Sequence, residues 1–520
     1  MTSILLIHPP LAKAGEPPAG IAALAGCLRA HGVDCTLVDA NLEGLLWLMG
    51  SATNPVDTWS TRALKHREAN LAALRSPATY ANIDRYQRAV RDINRVLELA
   101  VASRPELSIS LANYEDNSLD PLASSDLLRA AEEYRANLFF PWFEQHLAPK
   151  IAAKAPRFIG ISLCYLSQTL CSFSLIGFLR ATFLHIPLLL GGGLLTSWMR
   201  HPGWTNPFAG LVAQCIAGPG EGPLLDLLGL AHQHHDVAPD YDGLSLADYL
   251  SPGLILPYAA SRGCYWNKCT FCPETAEQSR YQPVDPQTVV AHLHQLCRHT
   301  QPSLIHLLDN AVSPAVMSAL IDNPPGAPWY GFVRFHEQLA DVDFCHRLHA
   351  SGCMLLKLGL ESGSQQVLDG LHKGIDLALV EQVLAALYQA GIATYVYLLF
   401  GTPAESAVEA RQTLAFVQRH HQEISFLNLA IFNMPIAGAE ATALAGTTFS
   451  QGDLSLYCDF PHPQGWDRRA IRTFLDKEFK RQPELAAIFR RDPPYFTSNH
   501  AAFFNDHSPW PSRCKHEKRA

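Results

Sequence analysis

Charge is scarce in this chain. Only 17% of its residues are Asp, Glu, Lys or Arg, against 48% hydrophobic, and the net charge of −8 carries no Lys/Arg stripe. A protein that grips a phosphate backbone needs clustered cations, so nucleic acid is not an expected partner. Long apolar runs are also missing, and no uncharged stretch approaches the roughly 18 residues of a membrane span. The opening residues, MTSILLIHPP, have no basic n-region and no long h-region, so no secretory signal is expected. Thirteen cysteines over 520 residues are too sparse for a disulfide framework. Cys27, Cys35, Cys164, Cys171, Cys215, Cys297, Cys345 and Cys353 lie in apolar or helical surroundings. They read as reduced core residues, which implies a cytoplasmic protein. No Ser-His-Asp or Cys-His arrangement demands nucleophilic catalysis. The length predicts about two to four domains.

Against that background one stretch stands out. Ser261 to Glu274 reads SRGCYWNKCTFCPE, with Cys264, Cys269 and Cys272 in a short loop beside Tyr265, Trp266 and Phe271. The apolar run Leu254–Ala260 before it reads as a buried strand. Three thiolates at the end of a strand form a metal site. Structural zinc takes a fourth Cys or His at short spacing, usually from a second pair, and no second C-x-x-C exists. A four-iron cluster on three cysteines leaves one iron free for chemistry, and iron–sulfur is therefore preferred over a zinc loop.

Taken in order, the chain opens as β-α-β, with a strand at Ile4–His8, a helix at Pro18–Arg29 stopped by Gly32, and a strand at Cys35–Ala40. The pattern resumes at Arg157–Leu163, then a helix near Ser167–Thr182, a strand at Pro187–Leu190, the glycines Gly191, Gly192 and Gly193, and a strand at Leu211–Ala217 running into GPGEG, Gly218–Gly222. Alternation of this kind predicts an open parallel sheet with ligand loops at the strands' carboxyl ends. The insertion at about 45–150 reads as a helical subdomain or cap, with helices around Tyr86–Val101 and Ser124–His146. The polar, Pro/Gly-rich segment 236–253 reads as a linker. Six further strands follow, at Leu254–Ala260, Ser303–Leu308, Trp329–Phe335, Met354–Leu360, Ala393–Phe400 and Ser425–Phe432. Asp285 and Asp376 are N-cap candidates, and Gly352 and Gly391 are helix-ending glycines. Six βα units predict a partial (β/α)6 TIM-like barrel, an open arc with its active site in the loops after the strands, and the cysteine loop is the first of these. Beyond 439 the pattern stops, and 439–520 reads as a helical extension. Its Tyr495, Asn499, His500 and Phe503 are candidates to close the arc's open side, with packing the commoner role for His500.

These residues resemble a known family. The first 235 residues are similar to the Rossmann-like cobalamin-binding domain that precedes many radical S-adenosylmethionine enzymes. In that fold a Ser-x-Leu element is followed by a Gly-Gly loop. Here Ser162-Leu163-Cys164 is followed, after 26 residues, by Gly191-Gly192. By that resemblance Ser162, Gly191, Gly192, Gly193, Gly218, Gly220 and Glu221 would line a cobalamin slot, the alternative being a sheet that kept its shape and lost its cofactor. The D-x-H-x-x-G loop whose His ligates cobalt is absent; the matching loop is HPPLAKAGEPP, His8–Pro18. In residues 254–438, KLGLESGSQQVLDGLHKG (Lys357–Gly374) and LLFGTPAES (Leu398–Ser406) resemble the strand-end signatures of cobalamin-associated radical enzymes. The resemblance implies that Phe271, Gly359, Glu361, Ser362, Gly401, Thr402 and Pro403 surround S-adenosylmethionine. Glu361 is alternatively a buried carboxylate tied to Lys357 or Lys373. Asp309 would contact the methionine amino group or cap its loop. Two departures stand out: the family's C-x3-C-x2-C is here C-x4-C-x2-C, and its Gly-Gly-Glu element is missing.

The resemblance implies a 4Fe-4S cluster on Cys264, Cys269 and Cys272. It also implies S-adenosylmethionine as cosubstrate, cobalamin, an external electron donor such as flavodoxin or ferredoxin, and a small-molecule or peptide substrate. The activity implied is generation of a 5′-deoxyadenosyl radical and transfer of a methyl group to an unactivated carbon. A cobalamin-binding radical enzyme of rearrangement or cyclisation is an alternative, as is a non-catalytic iron–sulfur protein of electron transfer or sensing. The latter has no use for a ribose-binding loop.

Overall fold

The computed structural model describes residues 3–232, 236–444, 446–449, 452–493 and 501–503. Tyr495, Asn499 and His500, candidates for closing the arc, lie outside the described residues. No helix among the described residues is long and apolar enough to cross a membrane.

Two parallel sheets organise the chain. The first has strands β1 (Ser3–His8), β2 (Asp34–Asp39), β3 (Phe158–Ser162), β4 (Leu188–Gly191) and β5 (Gln214–Cys215), in the order β2-β1-β3-β4-β5. That order reverses at β1, so the crevice for a ligand falls beyond the carboxyl ends of β1 and β3. Alternation along β1 serves two cores. Leu5 and Ile7 join the core beneath the insertion, and Ile4 and Leu6 pack with the helix Ala19–Ala30 on the other face. The last strand is only two residues long. The expected start at Leu211 is taken up by a turn after Gly210 (φ +82°), with pairing limited to β4 on one side.

The second sheet runs β6 (Ile255–Tyr258), β7 (Leu304–Leu307), β8 (Trp329–Val333), β9 (Cys353–Glu361), β10 (Ala393–Phe400) and β11 (Phe426–Ile431), all parallel and in sequence order. It forms an open arc. Asp285 and Asp376 cap their helices by accepting from Thr288 N and Ala378 N, and Gly352 and Gly391 take positive φ where helices turn back into strands. Outward residues such as Ile305, Leu356 and Val396 bury against the helices. The inward face is different, carrying His306, Tyr330, Phe332, Lys357, Tyr395 and Tyr397.

The insertion departs from the expected cap. Its helices, including Ile83–Ala100, share one continuous core with the first inward residues of the arc's strands, Leu304, Leu355 and Phe426. It therefore plugs the arc's floor. Phe503 belongs there too, with its ring 5.0 Å from Tyr80 and 5.1 Å from Tyr86, so it does not face the open side. The helix expected across Ser124–His146 ends at Glu132, passes through a tight turn at Tyr134–Ala136, and resumes at Phe140 as a helical stretch running to Lys154, with Pro141 in its first turn, where no N–H is needed. The segment 236–253 is irregular but strapped down. Arg29 pairs with Asp240 at 2.8 Å, Tyr249 donates to Asp39 at 2.6 Å, and Leu250 N donates to Ala14 O at 2.8 Å.

Candidate active site

The cysteine loop leaves β6 through Ser261–Arg262 and returns at Gln282–Pro283, and these two ends pair as a short antiparallel ladder. Asp309, at the end of β7, holds that neck. It is 2% exposed and accepts from Ala260 N at 3.0 Å and Ser261 Oγ at 2.5 Å. Burial raises its carboxyl above the usual range, opposed by those hydrogen bonds. Its oxygens are thus occupied in positioning the loop. Between Cys264 and Cys269 the chain turns at Asn267, whose φ of 44° is left-handed, a conformation asparagine tolerates better than most residues.

Cys269 is buried and the other two cysteines are half-buried. Burial raises the Cys269 thiol, opposed by the Lys373 and Arg334 charges, and pushes Cys272 up to about 11. Arg334, 8% exposed, points Nη1 at Cys269 Sγ (3.9 Å) and donates through Nη2 to Lys373 O at 2.5 Å. Its guanidinium also lies 4.3 Å over the Trp266 ring, whose Nε1 donates to His372 O at 3.0 Å. Three thiols on one pinned loop, backed by two cations, suit in kind a cluster whose thiolates bring negative charge. Among the described residues no group of three or more His, Cys, Asp or Glu converges tightly enough to hold a single metal ion.

The other strand-end residues fall into two sets. Glu361 and Lys373 form an ion pair of 2.7 Å, 12% and 8% exposed, so the carboxylate has the lysine partner that was its alternative role. Glu361 sits at φ 69°, where the β9–β10 register shifts, and backbone strain of that kind persists where the surroundings over-determine it. Gly359 leaves room for the pair, since a Cβ there would lie 2.6 Å from Glu361 Oε1. Phe271 lies 5.6 Å from Lys373 Nζ. Ser362 is fully buried and bonded to Thr413 Oγ1 at 3.1 Å, locking the loop to the helix Ala407–Arg419. Gly401 takes φ +84°, a left-handed conformation that favours glycine, and the end of the Ile471 side chain packs against it. Thr402 is fully buried and its carbonyl accepts from His462 Nε2 at 3.0 Å; Pro403 is half-buried beside it.

The first sheet opens a cavity of about 770 Å³, within the roughly 300–1,000 Å³ of small-molecule and cofactor sites. Ser162, Gly191, Gly192, Gly193, Gly218, Gly220 and Glu221 all line it. Gly192, at φ +110°, lets the backbone pass Leu163 O, which a Cβ would approach to 2.3 Å. Thr196 Oγ1 accepts from Gly218 N at 2.9 Å and joins the two glycine loops. The opposite wall is the cysteine loop, through Arg262, Gly263, Pro273 and Glu274. Glu221 pairs with Arg262 across the cavity, so this carboxylate joins the two sheets. A glycine-floored cradle of this size fits a large flat cofactor.

His8, at the head of the loop that lacks the cobalt-ligand motif, is 7% exposed with Nε2 3.2 Å from Gln168 Nε2, and it does not line this cavity. The rest of that loop turns into the arc, where Glu16 pairs with His306, whose Nε2 lies 3.3 Å from Lys357 Nζ. The sequence reading missed Lys13, Glu16, His306 and Arg334. The available signal was a polar residue on the inward phase of an apolar strand: His306 in SLIHLL, and likewise Lys357 in MLLKLGL.

This architecture, a reversed-order parallel sheet facing the first strand-end loop of a six-stranded arc, is shared with solved cobalamin-dependent radical S-adenosylmethionine enzymes. The structure of the radical S-adenosylmethionine methyltransferase TsrM from Kitasatospora setae, with cobalamin and a [4Fe-4S] cluster bound, aligns over 95% of this chain and 92% of that one, at 14% identity and TM-score 0.54. Its form with tryptophan substrate and the analogue aza-SAM aligns over 95% and 90%, with TM-score 0.58. The cobalamin-dependent S-adenosylmethionine radical enzyme OxsB with aqua-cobalamin aligns over 92% of this chain but 56% of its own, at 13% identity and TM-score 0.51. At these identities the likeness is one of fold. No family model matches the sequence, and no curated protein matches it.

Proposed function

We propose that this chain is a radical S-adenosylmethionine enzyme that holds a 4Fe-4S cluster on Cys264, Cys269 and Cys272 and cobalamin in the 770 Å³ cavity, and that it methylates carbon. The observation that carries the reading is that cavity. It is lined at once by the glycine loops of the first sheet and by both ends of the cysteine loop, including Gly263 and Pro273 next to Cys264 and Cys272, so a group held there would lie against the loop that carries the cysteines. When bound, the reduced cluster supplies one-electron cleavage of S-adenosylmethionine and the cobalamin supplies a methyl group. The chain's own residues bind, orient and exclude water. Asp309 and the Arg262–Pro283 ladder pin the loop, Arg334 faces a cluster thiolate, and Glu361 with Lys373 offers paired charges beside Gly359 to the polar end of the cosubstrate. An electron donor of the flavodoxin or ferredoxin class completes the cycle.

The test is anaerobic reconstitution with turnover. About four irons per chain and formation of 5′-deoxyadenosine are expected, both lost in Cys269→Ala. If 5′-deoxyadenosine never forms, or C269A leaves it unchanged, the radical reading fails. Gly193 lines the cavity and a Cβ there meets nothing within 4 Å, so Gly193→Leu keeps the fold and fills the slot. Cobalamin that still copurifies with G193L would exclude this cavity as its site.

A further inference from the structure

Arg334 is a buried cation with no carboxylate beside it. It follows β8, at the third strand end of the arc, and is 8% exposed. A guanidinium stays charged at any working pH, and charge held away from water needs opposite charge close by. Among the described residues no carboxylate lies within ion-pair distance of Arg334; its polar contacts are a carbonyl and a thiol. The other cations around the cysteine loop differ. Arg262 pairs with Glu221, Lys373 pairs with Glu361 at 2.7 Å, and Lys268 and Arg280 are exposed.

Three contacts fix where that charge points. The guanidinium carbon lies 4.3 Å from the centre of the Trp266 ring, over its electron-rich face. Nη2 donates to Lys373 O at 2.5 Å, and Nη1 is turned toward Cys269 Sγ at 3.9 Å. Trp266 is held in its turn, with Nε1 donating to His372 O at 3.0 Å. The guanidinium is thus fixed against a thiol of the cysteine loop. One electron from the external donor makes a bound cluster one unit more negative. A fixed cation at one of its sulfurs favours that state, because net charge and hydrogen bonds to sulfur set cluster potentials.

We infer that Arg334 is the counter-ion of the cluster, a positioning residue that acts through Cys269 to stabilise the reduced state. The inference rests on the cluster assignment above and names the residue that sets its redox behaviour. A redox titration of the full-length, anaerobically reconstituted protein, followed by electron paramagnetic resonance without S-adenosylmethionine, tests it apart from turnover. In Arg334→Gln the ratio of reduced to oxidised cluster at a fixed potential should fall about tenfold, a midpoint about 59 mV lower. Arg334→Lys, which keeps the charge, should hold the ratio within about threefold. Lys268→Gln removes an exposed, solvent-screened charge and should change it about twofold or less.

The inference is overturned if R334Q keeps its iron and the wild-type ratio, or if R334K or K268Q shifts the ratio as far as R334Q. An unmoved ratio with weaker S-adenosylmethionine binding in R334Q overturns it too, and gives the guanidinium to the cosubstrate. Should R334Q lose its iron, retention in R334K upholds the counter-ion role, and loss from R334K as well overturns it. A shifted ratio in a protein that forms no 5′-deoxyadenosine would sink the radical reading and leave the role of Arg334 standing. A wild-type chain that takes up no iron would overturn both.

Discussion

Glu405 holds a carboxyl where ionisation is costly. It is fully buried, accepts from Gly401 N at 2.6 Å and Trp466 Nε1 at 3.1 Å, and its Oε1 has no partner among the described residues. Burial pushes it from 4.5 up to about 7, against those two hydrogen bonds. Because the folded value is the higher one, the folded chain keeps a proton that the unfolded chain loses. The contribution is complete below about pH 4.5 and is lost as pH rises through about 7. Its size is of order 2–3 kcal/mol. Glu405→Gln, neutral at every pH, should therefore raise the unfolding temperature at pH 8 by a few degrees and leave it unchanged or lower at pH 5. Thermal unfolding at the two pH values reads this directly, and equal shifts would mean that the carboxyl does not titrate there.

At the level of the element, the cysteine loop is shaped by a clamp two strands away. Trp266 lies between Lys268, 4.8 Å from its ring, and Arg334, and its edge fills the space over Gly374. Gly374 has φ +64°, and a Cβ there would stand 2.0 Å from Trp266 Cζ2. Gly374→Ala should displace the indole, and with it Arg334 and the Cys269 side of the loop. Supports of this kind are worth ~10-fold or more in metal retention, so iron should leave G374A faster under chelator challenge. Trp266→Phe in the same background, with a smaller ring, should recover part of the loss. Unchanged iron retention in G374A would show that the clamp does not act on the thiols.

In the whole molecule, the two sheets are joined by charge as well as by apolar packing. Glu221–Arg262 spans the cavity rim, and Glu16 reaches His306, which in turn lies against Lys357 inside the arc. Burial lowers Lys357 to about 8, partly offset by Glu16. Replacing Glu16 by Leu would leave His306, 9% exposed, without its acceptor, and leaving a buried donor unsatisfied costs about 1–3 kcal/mol. Hydrogen exchange should show lost protection along β9 and β7, with the far edge of the first sheet at β2 little changed. Uniform loss across both sheets would instead mean that Glu16 supports folding generally.

The strand positions, the cysteine loop and the glycine loops were legible in the chain because their causes are local. Apolar phases of period two mark the strands, Asp285 and Asp376 mark helix starts, and positive-φ glycines mark the turns. What local pattern could not carry was partnership. Glu16 meets His306 across 290 residues, and Trp266 reaches His372 across 106. The insertion's place beneath the arc follows from which apolar faces remain once both sheets are built. The spacing of three cysteines therefore marked the loop on which the proposed chemistry rests. The packing of distant loops decided what surrounds them, because burial, ion pairing and the shape of a cleft belong to residues that meet only after the chain has folded.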